Sequence, residues 1–385
     1  MTLLYQLIVL GIITLMGMVA LVNMIVFPSL RGRRMPRRQP MVSVLLPARN
    51  EAATLGVCLS MLVEQDYPSF EVVVLDDNSD DGTADIAADW ARSDPRIRAI
   101  RGAKLPDGWV GKCYACHQLS ELARGDFLLF VDADTVHSRY SISAAMSAME
   151  ERDADLLTVI PHQVMKSLWE LLILPLLHFS TFCYLPFPLV TMSKNPKFAM
   201  ANGQFMLFKR QVYERIGGHT AVRSAMVEDV WLSRLVKHFG YRLQIMDGGD
   251  IMSCRMYTSM RDIWNGFSKN LFAGFRYSVP AIAAVILFNA VTSLGPFFFL
   301  LSGLLSGSAH EPWFRLVFLQ VASLITMRWM LALRFRMNFW SAFLHPVAMI
   351  VLLAIAFNSC RWVLAAGGAR WKGRVYDFRN HPSTS

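Results

Sequence analysis

Charge is missing from several long stretches of this 385-residue chain. Residues 1–30 carry no Asp, Glu, Lys or Arg, and neither do Ser278–His310 or Phe339–Asn358. Over the whole chain only 17% of residues are charged and 54% are hydrophobic, a balance outside the range of ordinary soluble domains. Each uncharged run approaches the roughly 20 apolar residues that cross a bilayer, so the chain is expected to be membrane-bound. The first run also lacks the basic leader and the small-residue cleavage site of a secretory signal peptide. It is expected to persist as an anchor. Arg31, Arg33, Arg34, Arg37 and Arg38 follow it at once, and by the positive-inside rule they hold the next segment in the cytoplasm. The net charge of +9 gathers beside the candidate spans, where anionic lipid head groups are the natural partner. No nucleic-acid partner is expected.

Cysteine is sparse: six residues, scattered. For a mainly cytosolic chain this argues against disulfides. Cys113 and Cys116 form a Cys-x-x-Cys, but no second ligand pair stands at the spacing a zinc site needs. They read as small packing residues on a helix. There is no internal repeat and no low-complexity tract.

Between residues 42 and 160 strand-like and helix-like patterns alternate. Val42–Leu46, Val72–Leu75, Phe127–Val131 and Leu156–Ile160 read as buried strands, and Ile97–Ile100 as a short extended segment. Ala53–Gln65, Thr83–Arg92, Lys112–Ala123 and Ser141–Arg152 read as helices. The alternation predicts a parallel sheet covered by helices on both faces. Acidic clusters follow two of the strands: Asp76-Asp77-Asn78-Ser79-Asp80-Asp81-Gly82-Thr83 and Asp132-Ala133-Asp134. Open α/β sheets bind ligands at this carboxyl edge. An Asp-x-Asp there suits a hard divalent cation that grips a diphosphate. Asp80 and Asp81 also fit the cap of the following helix.

In order along the chain stand Pro47-Ala48-Arg49-Asn50-Glu51, Asp76-Asp77 with Ser79 and Gly82-Thr83, Gly111-Lys112, Asp132-Ala133-Asp134 and Glu228-Asp229. This ordered set, over about residues 42–275, resembles the family 2 glycosyltransferases of the GT-A fold. Gly108-Trp109-Val110-Gly111-Lys112 and the tail Trp371-Lys372-Gly373-Arg374-Val375-Tyr376 look most like the lipid-modifying branch, with ceramide glucosyltransferases and the enzymes that glycosylate carotenoid acids or hopanoids. The resemblance implies an α/β, Rossmann-like GT-A domain inserted between transmembrane helices. It implies a nucleotide-diphosphate sugar donor, usually UDP-linked, bound by Pro47, Glu51, Asp77, Lys112 and Asp132. Asp134 would hold Mg²⁺ or Mn²⁺, which makes the diphosphate a better leaving group. Asp229 would be the general base that deprotonates the acceptor, with inversion at the anomeric carbon. Glu228, Trp264 and Lys269 are the acceptor-side candidates.

One departure stands out. Family members often carry Gln/Arg-x-x-Arg-Trp after the base; here Met260-Arg261-Asp262-Ile263-Trp264 keeps only the Trp. That disfavours the alternative of a processive polysaccharide synthase. A non-catalytic membrane scaffold would have no need of three acidic clusters.

Leu171–Ser193 is uncharged over 23 residues but contains Pro175, Pro186 and Pro188. If it crossed the bilayer once, Asp134 and Asp229 would face opposite compartments. It is therefore expected to lie in the interface or re-enter. The expected organisation is an anchor at 1–30, a cytosolic transferase domain at 40–275 with an interfacial segment at 171–193, a transmembrane region at 279–366 and a basic tail at 367–385. The setting is a multi-pass protein of a bacterial-type cell membrane. Spans near 280–303, 313–333 and 342–364 would leave the basic tail outside, against the positive-inside rule. The middle one is the weakest, with Arg315 and Arg328.

Overall fold

A computed structural model describes residues 2–32, 35–365, 368–371 and 374–376. Arg33 and Arg34 of the basic segment, and Lys372, Gly373 and Arg379 of the tail, lie outside the described residues. The chain packs into two compact units: residues 27–164 with 188–256, and residues 1–26 with 165–187 and 257–385.

The unit containing residues 27–164 is built on a seven-stranded sheet. Its strands are β1 (Val42–Ala48), β2 (Phe70–Asp76), β3 (Ile97–Arg101), β4 (Phe127–Val131), β6 (Leu156–Ile160), β8 (Phe205–Lys209) and β9 (Leu243–Asp247). The order is β3-β2-β1-β4-β8-β6-β9. β1 pairs in parallel with β2 and β4, as buried runs of Val and Leu favour. β8 runs antiparallel to both β4 and β6. The strands expected between residues 42 and 160 all run in one direction, and β8, lying between β4 and β6, makes the sheet mixed. β8 returns to the sheet after the long apolar excursion at 165–187, so no crossover helix fixes its direction. A three-stranded sheet of β5 (Thr135–His137), β7 (His162–Gln163) and β10 (Met252–Cys254) lies immediately beyond Asp134.

Helices Leu55–Val63 and Ser141–Arg152 supply Leu55, Leu59, Ile142 and Met146 to the sheet's apolar core. Glu71 on β2 is buried, and its carboxylate accepts from Ser43 Oγ at 2.7 Å and pairs with Arg98 at 3.0 Å. Buried carboxylates persist when satisfied in this way. Gly125 is fixed by the same network. A Cβ there would come within 2.6 Å of Met41 O and Ser43 N.

The other unit is helical and apolar. Four of its helices are long and apolar enough to cross a membrane: Thr2–Val26, Val279–Leu305, Pro312–Phe335 and His345–Leu364. Gln6 meets Gln320 at 3.0 Å, and Gly17 lies opposite Met327, so the first and third run parallel. Ile282 clusters with Ala356 and Phe297 packs on His345, so the fourth runs antiparallel to the second. Its last turns bond to helix Met260–Gly274, with Asn358 donating to Ser268 Oγ at 2.9 Å and Phe272 N to Ser359 Oγ at 3.0 Å. The backbone strand Ala369–Trp371 lies against the same helix.

Leu171–Ser193 is broken at its prolines. Leu168–Ile173, Pro175–Tyr184 and Phe187–Met192 are separate helices, with Pro175 at the first position of the second, where its missing N–H costs nothing. The break at 185–187 exposes backbone groups in an apolar setting. Asn23 satisfies them, donating to Phe182 O and Leu185 O at 2.8 Å each and accepting from Phe187 N at 2.7 Å.

Candidate active site

The loops after β1 and β2 are laced together. Asn50 and Asn78 both adopt left-handed backbone, with φ of 52° and 56°, a region Asn tolerates. Asn50 Oδ1 accepts from Asp80 N at 3.0 Å, and Asn50 N donates to Ser79 Oγ at 2.9 Å. Arg49 donates to the carbonyls of Asp77 and Asn78. Glu51 N donates to Thr83 Oγ1 at 2.8 Å. Pro47 sits in β1 beside Leu75 of β2. This lacing holds buried Asp76 and Asp77 at the carboxyl end of β2. The expectation that Asp80 and Asp81 both cap the next helix is corrected. Asp81 accepts from Thr83 N at 3.1 Å and from Ala52 N at 3.0 Å, tying helix and neighbouring loop together, whereas Asp80 contributes its own amide to Asn50.

At the end of β4 the hydroxyl of Thr135 donates to Asp132 O at 2.6 Å, closing the Asp132–Thr135 turn. Asp132 Oδ1 meets Lys112 Nζ at 2.8 Å, and the same ammonium meets Glu228 Oε1 at 3.0 Å. Lys112 comes from the first turn of helix Gly111–Leu122 and Glu228 from the first residue of helix Glu228–His238. Burial alone would lower this ammonium, but the carboxylates of Asp132 and Glu228 outweigh it and hold it well above the ordinary lysine range. Cys113 and Cys116, on the same helix, are buried.

Asp229 lies next to this bridge. Its Oδ2 accepts from Gly203 N at 2.9 Å and its Oδ1 from Val230 N at 2.8 Å. Burial and the neighbouring Glu228 carboxylate push its carboxyl up to about 6, against Lys112 and the two amides, which favour the charged form. A Cβ at Gly203 would stand 3.2 Å from Lys112 Nζ, a tight contact that the mobile end of the lysine would have to relieve, and 3.4 Å from Asp229 Oδ2.

Asp134 shares a hydrogen bond with the Cys254 thiol, which burial and the nearby Asp134 and Asp132 keep protonated. Gln204 Nε2 lies 2.8 Å from the same sulfur. Among the described residues no three His, Cys, Asp or Glu side chains cluster as a metal cage. An Asp-x-Asp by itself still suits Mg²⁺ or Mn²⁺, because such ions are commonly held by one or two carboxylates with the remaining positions filled by substrate phosphates and water.

Of the residues singled out in the sequence, Lys112, Asp132 and Glu228 thus converge in one ion-paired group, with Asp229 next to Glu228 on the same helix, Asp134 at the turn after β4 and Asp77 at the end of β2. Trp264 and Lys269 belong to the apolar unit, on helix Met260–Gly274. There Ile263, at the position of the family's arginine, is buried. Sequence reasoning missed Lys237. Its ammonium is buried and donates to Leu189 O at 3.1 Å and Ser193 O at 2.6 Å, closing the end of helix Phe187–Met192 onto the helix that carries Asp229. Burial lowers it to about 8. A signal was present: Lys237 falls on the face of Leu232, Ser233 and Val236, all buried.

A mixed sheet with acidic loops at its carboxyl edge is the architecture of the GT-A fold. Residues 43–217 match the model of Glycosyl transferase family 2, which makes that segment a domain of this family. A mannosyltransferase from Pyrobaculum calidifontis, solved with GDP-Man and Mn²⁺, has a similar fold. Its TM-score is 0.53 at 18% identity, over 94% of this chain and 99% of that one. Among curated proteins the chain is 24% identical to 4,4'-diaponeurosporenoate glycosyltransferase of Staphylococcus haemolyticus (strain JCSC1435), over 88% of this chain and 89% of the relative. It is likewise 24% identical to the enzyme of that name in Staphylococcus aureus (strain MRSA252), covering 91% and 92%.

Proposed function

We propose that this membrane-associated glycosyltransferase moves a hexose from a nucleotide-diphosphate sugar, UDP-linked, to a lipid hydroxyl or carboxyl, with inversion. The observation that carries the reading is the carboxylate of Asp229, lifted by burial beside the Lys112–Glu228 pair. A carboxylate in that range takes up a proton readily near neutral pH. In the proposed step the acceptor oxygen attacks the anomeric carbon while Asp229 removes its proton. The bond from that carbon to the diphosphate breaks, and the nucleotide diphosphate leaves with the electron pair. One displacement inverts the centre, and no covalent sugar–enzyme intermediate is required.

Asp77 is the partner for the nucleotide base, and Pro47 and Glu51 shape the same edge. Lys112 offers its charge to the diphosphate while Asp132 and Glu228 hold it in place. Asp134, with Asp132 beside it, would hold Mg²⁺ or Mn²⁺, whose charge offsets that of the leaving group. The similar-fold mannosyltransferase solved with Mn²⁺ is consistent with this. Glu228, Trp264 and Lys269 remain the acceptor-side candidates. The relatives named for a diaponeurosporenoate acceptor and the apolar helices support a lipid acceptor. Buried Ile263 disfavours a processive synthase.

The proposed setting is a multi-pass protein of a bacterial-type cell membrane, with the transferase domain in the cytoplasm and Leu171–Ser193 at the cytoplasmic interface. Thr2–Val26, Val279–Leu305 and Pro312–Phe335 cross. His345–Leu364 does not: it begins at the level of Arg328 and runs in the same direction as Pro312–Phe335. Its end, bonded to helix Met260–Gly274, would leave the basic tail on the cytoplasmic side. The test is incubation of membranes with a panel of UDP-sugars, followed by mass spectrometry of extracted lipids. Hexosylated lipid appearing only with active enzyme is the expected result, and its absence with every donor would overturn the reading.

A further inference from the structure

Arg328 lies in the apolar helix Pro312–Phe335 and is 2% exposed. Its Nη2 donates to Ser341 O at 3.1 Å and to Ser341 Oγ at 3.3 Å, and its Nη1 stands 3.4 Å from His345 Nδ1. Among the described residues no carboxylate pairs with it. The acids described in this unit are engaged elsewhere: Glu170 caps its own helix with Ser167, Asp262 bonds Ser259, and Glu311 faces His310. A guanidinium has only donors, so the ring nitrogen it meets must accept. In the neutral ring that leaves the proton on Nε2. His345 is fully buried, and this Nε2 has no hydrogen-bond partner. A buried cation without counter-charge therefore stands beside a buried N–H without an acceptor. Both deficits are costly in apolar surroundings, and a single anion would remove both.

We infer that Arg328 and His345 form the docking point for the carboxylate of a lipid acid. The planar donor fork of arginine matches the two oxygens of a carboxylate. The apolar remainder of such a ligand suits the aromatic surroundings, with Phe179 4.9 Å and Phe297 6.0 Å from the His345 ring. The anion site does not depend on the lipid-glycosylation reading above.

The test uses the full-length protein in phosphatidylcholine nanodiscs and two probes, a diazirine-bearing long-chain fatty acid and its methyl ester. Wild type should be labelled by the acid roughly tenfold or more above the ester, the scale on which losing a charge-assisted hydrogen bond weakens binding, in peptides from 175–184, 312–335 or 339–364. Arg328→Gln should bring the acid down to the level of the ester, and Arg328→Lys should keep much of the preference. A misfolded variant would lose both labels together, so the acid-to-ester ratio is the readout. Equal labelling by acid and ester in wild type would overturn the inference, as would a ratio untouched by Arg328→Gln. Displacement of the acid by phosphatidylglycerol would make the ligand a bilayer phosphate and overturn the inference. Acid-selective binding with no sugar transfer to any lipid would sink the proposed function and leave the site standing. Transfer to lipid acids with unaltered acid-over-ester selectivity in Arg328→Gln would do the reverse.

Discussion

Gly203 donates its backbone N–H to Oδ2 of Asp229 at 2.9 Å, while Oδ1 of the same carboxylate accepts from Val230 N. The proposed base is thus held by the backbone of two separate segments, the approach to β8 and the helix Glu228–His238. Replacing Asp229 by Asn retains one oxygen that accepts a hydrogen bond but removes proton uptake. Asp229→Asn should therefore bind UDP as wild type does and lose turnover by about 10²–10⁴-fold, the usual contribution of a positioned acid or base. Parallel UDP-binding and transfer measurements check this. If UDP binding falls together with turnover, Asp229 is a donor-site residue.

The environment of Asp229 sets the acid side of the pH profile. Its carboxyl is pushed up to about 6, with burial first and Glu228 second as causes. A base works only when deprotonated, so transfer should rise with pH through this region rather than near 4, where a solvated Asp would titrate. Glu228→Gln removes a repelling negative charge and should move the acidic limb to lower pH. An acidic limb that stays in place in Glu228→Gln would separate Asp229 from the observed titration.

The Asp-x-Asp turn predicts dependence on a divalent ion. Asp134→Asn should abolish transfer while the protein remains folded and membrane-bound. Excess chelator should silence wild type, and Mg²⁺ or Mn²⁺ should restore it. The decisive observation is transfer by wild type in excess chelator: undiminished activity there removes the metal from the mechanism.

The buried valine and leucine runs, the acidic strand ends and their order made the α/β domain legible in the sequence, because each depends on local pattern. The direction of β8 was not legible. Phe205–Lys209 looks the same read as a parallel or an antiparallel strand, and only its pairing with β4 and β6 decides. The bridge from Asp132 through Lys112 to Glu228 was hidden for a related reason: its Lys112–Glu228 leg joins residues more than a hundred positions apart, and no local period records such a contact. Pro175 and Pro186, by contrast, marked the breaks in the apolar stretch, since a proline disrupts helix continuity wherever it stands.

The proposed side of the C-terminal tail rests on helix direction rather than on hydropathy. Pro312–Phe335 and His345–Leu364 run the same way, and Ser359 near the end of the second accepts from Phe272 N. A reporter fused to the C-terminus should accordingly behave as cytoplasmic. Green fluorescent protein should fluoresce there, and alkaline phosphatase should be inactive. An active phosphatase fusion would require His345–Leu364 to cross.

The last prediction concerns Leu171–Ser193. Its three short helices, with breaks near Pro175 and Pro186, make a poor single span. The carbonyls of Leu189 and Ser193 are held by Lys237, on the helix that begins with Glu228 and Asp229. A segment so tied to the base's helix ends on the base's side of the membrane. Single cysteines introduced as Ser167→Cys and Ser193→Cys in a cysteine-free background should both label from the cytoplasmic side alone. Labelling of the Ser193→Cys variant from outside would mean a true crossing. It would put Asp134 and Asp229 in different compartments, and the assignment of Asp229 as base would then have to be withdrawn.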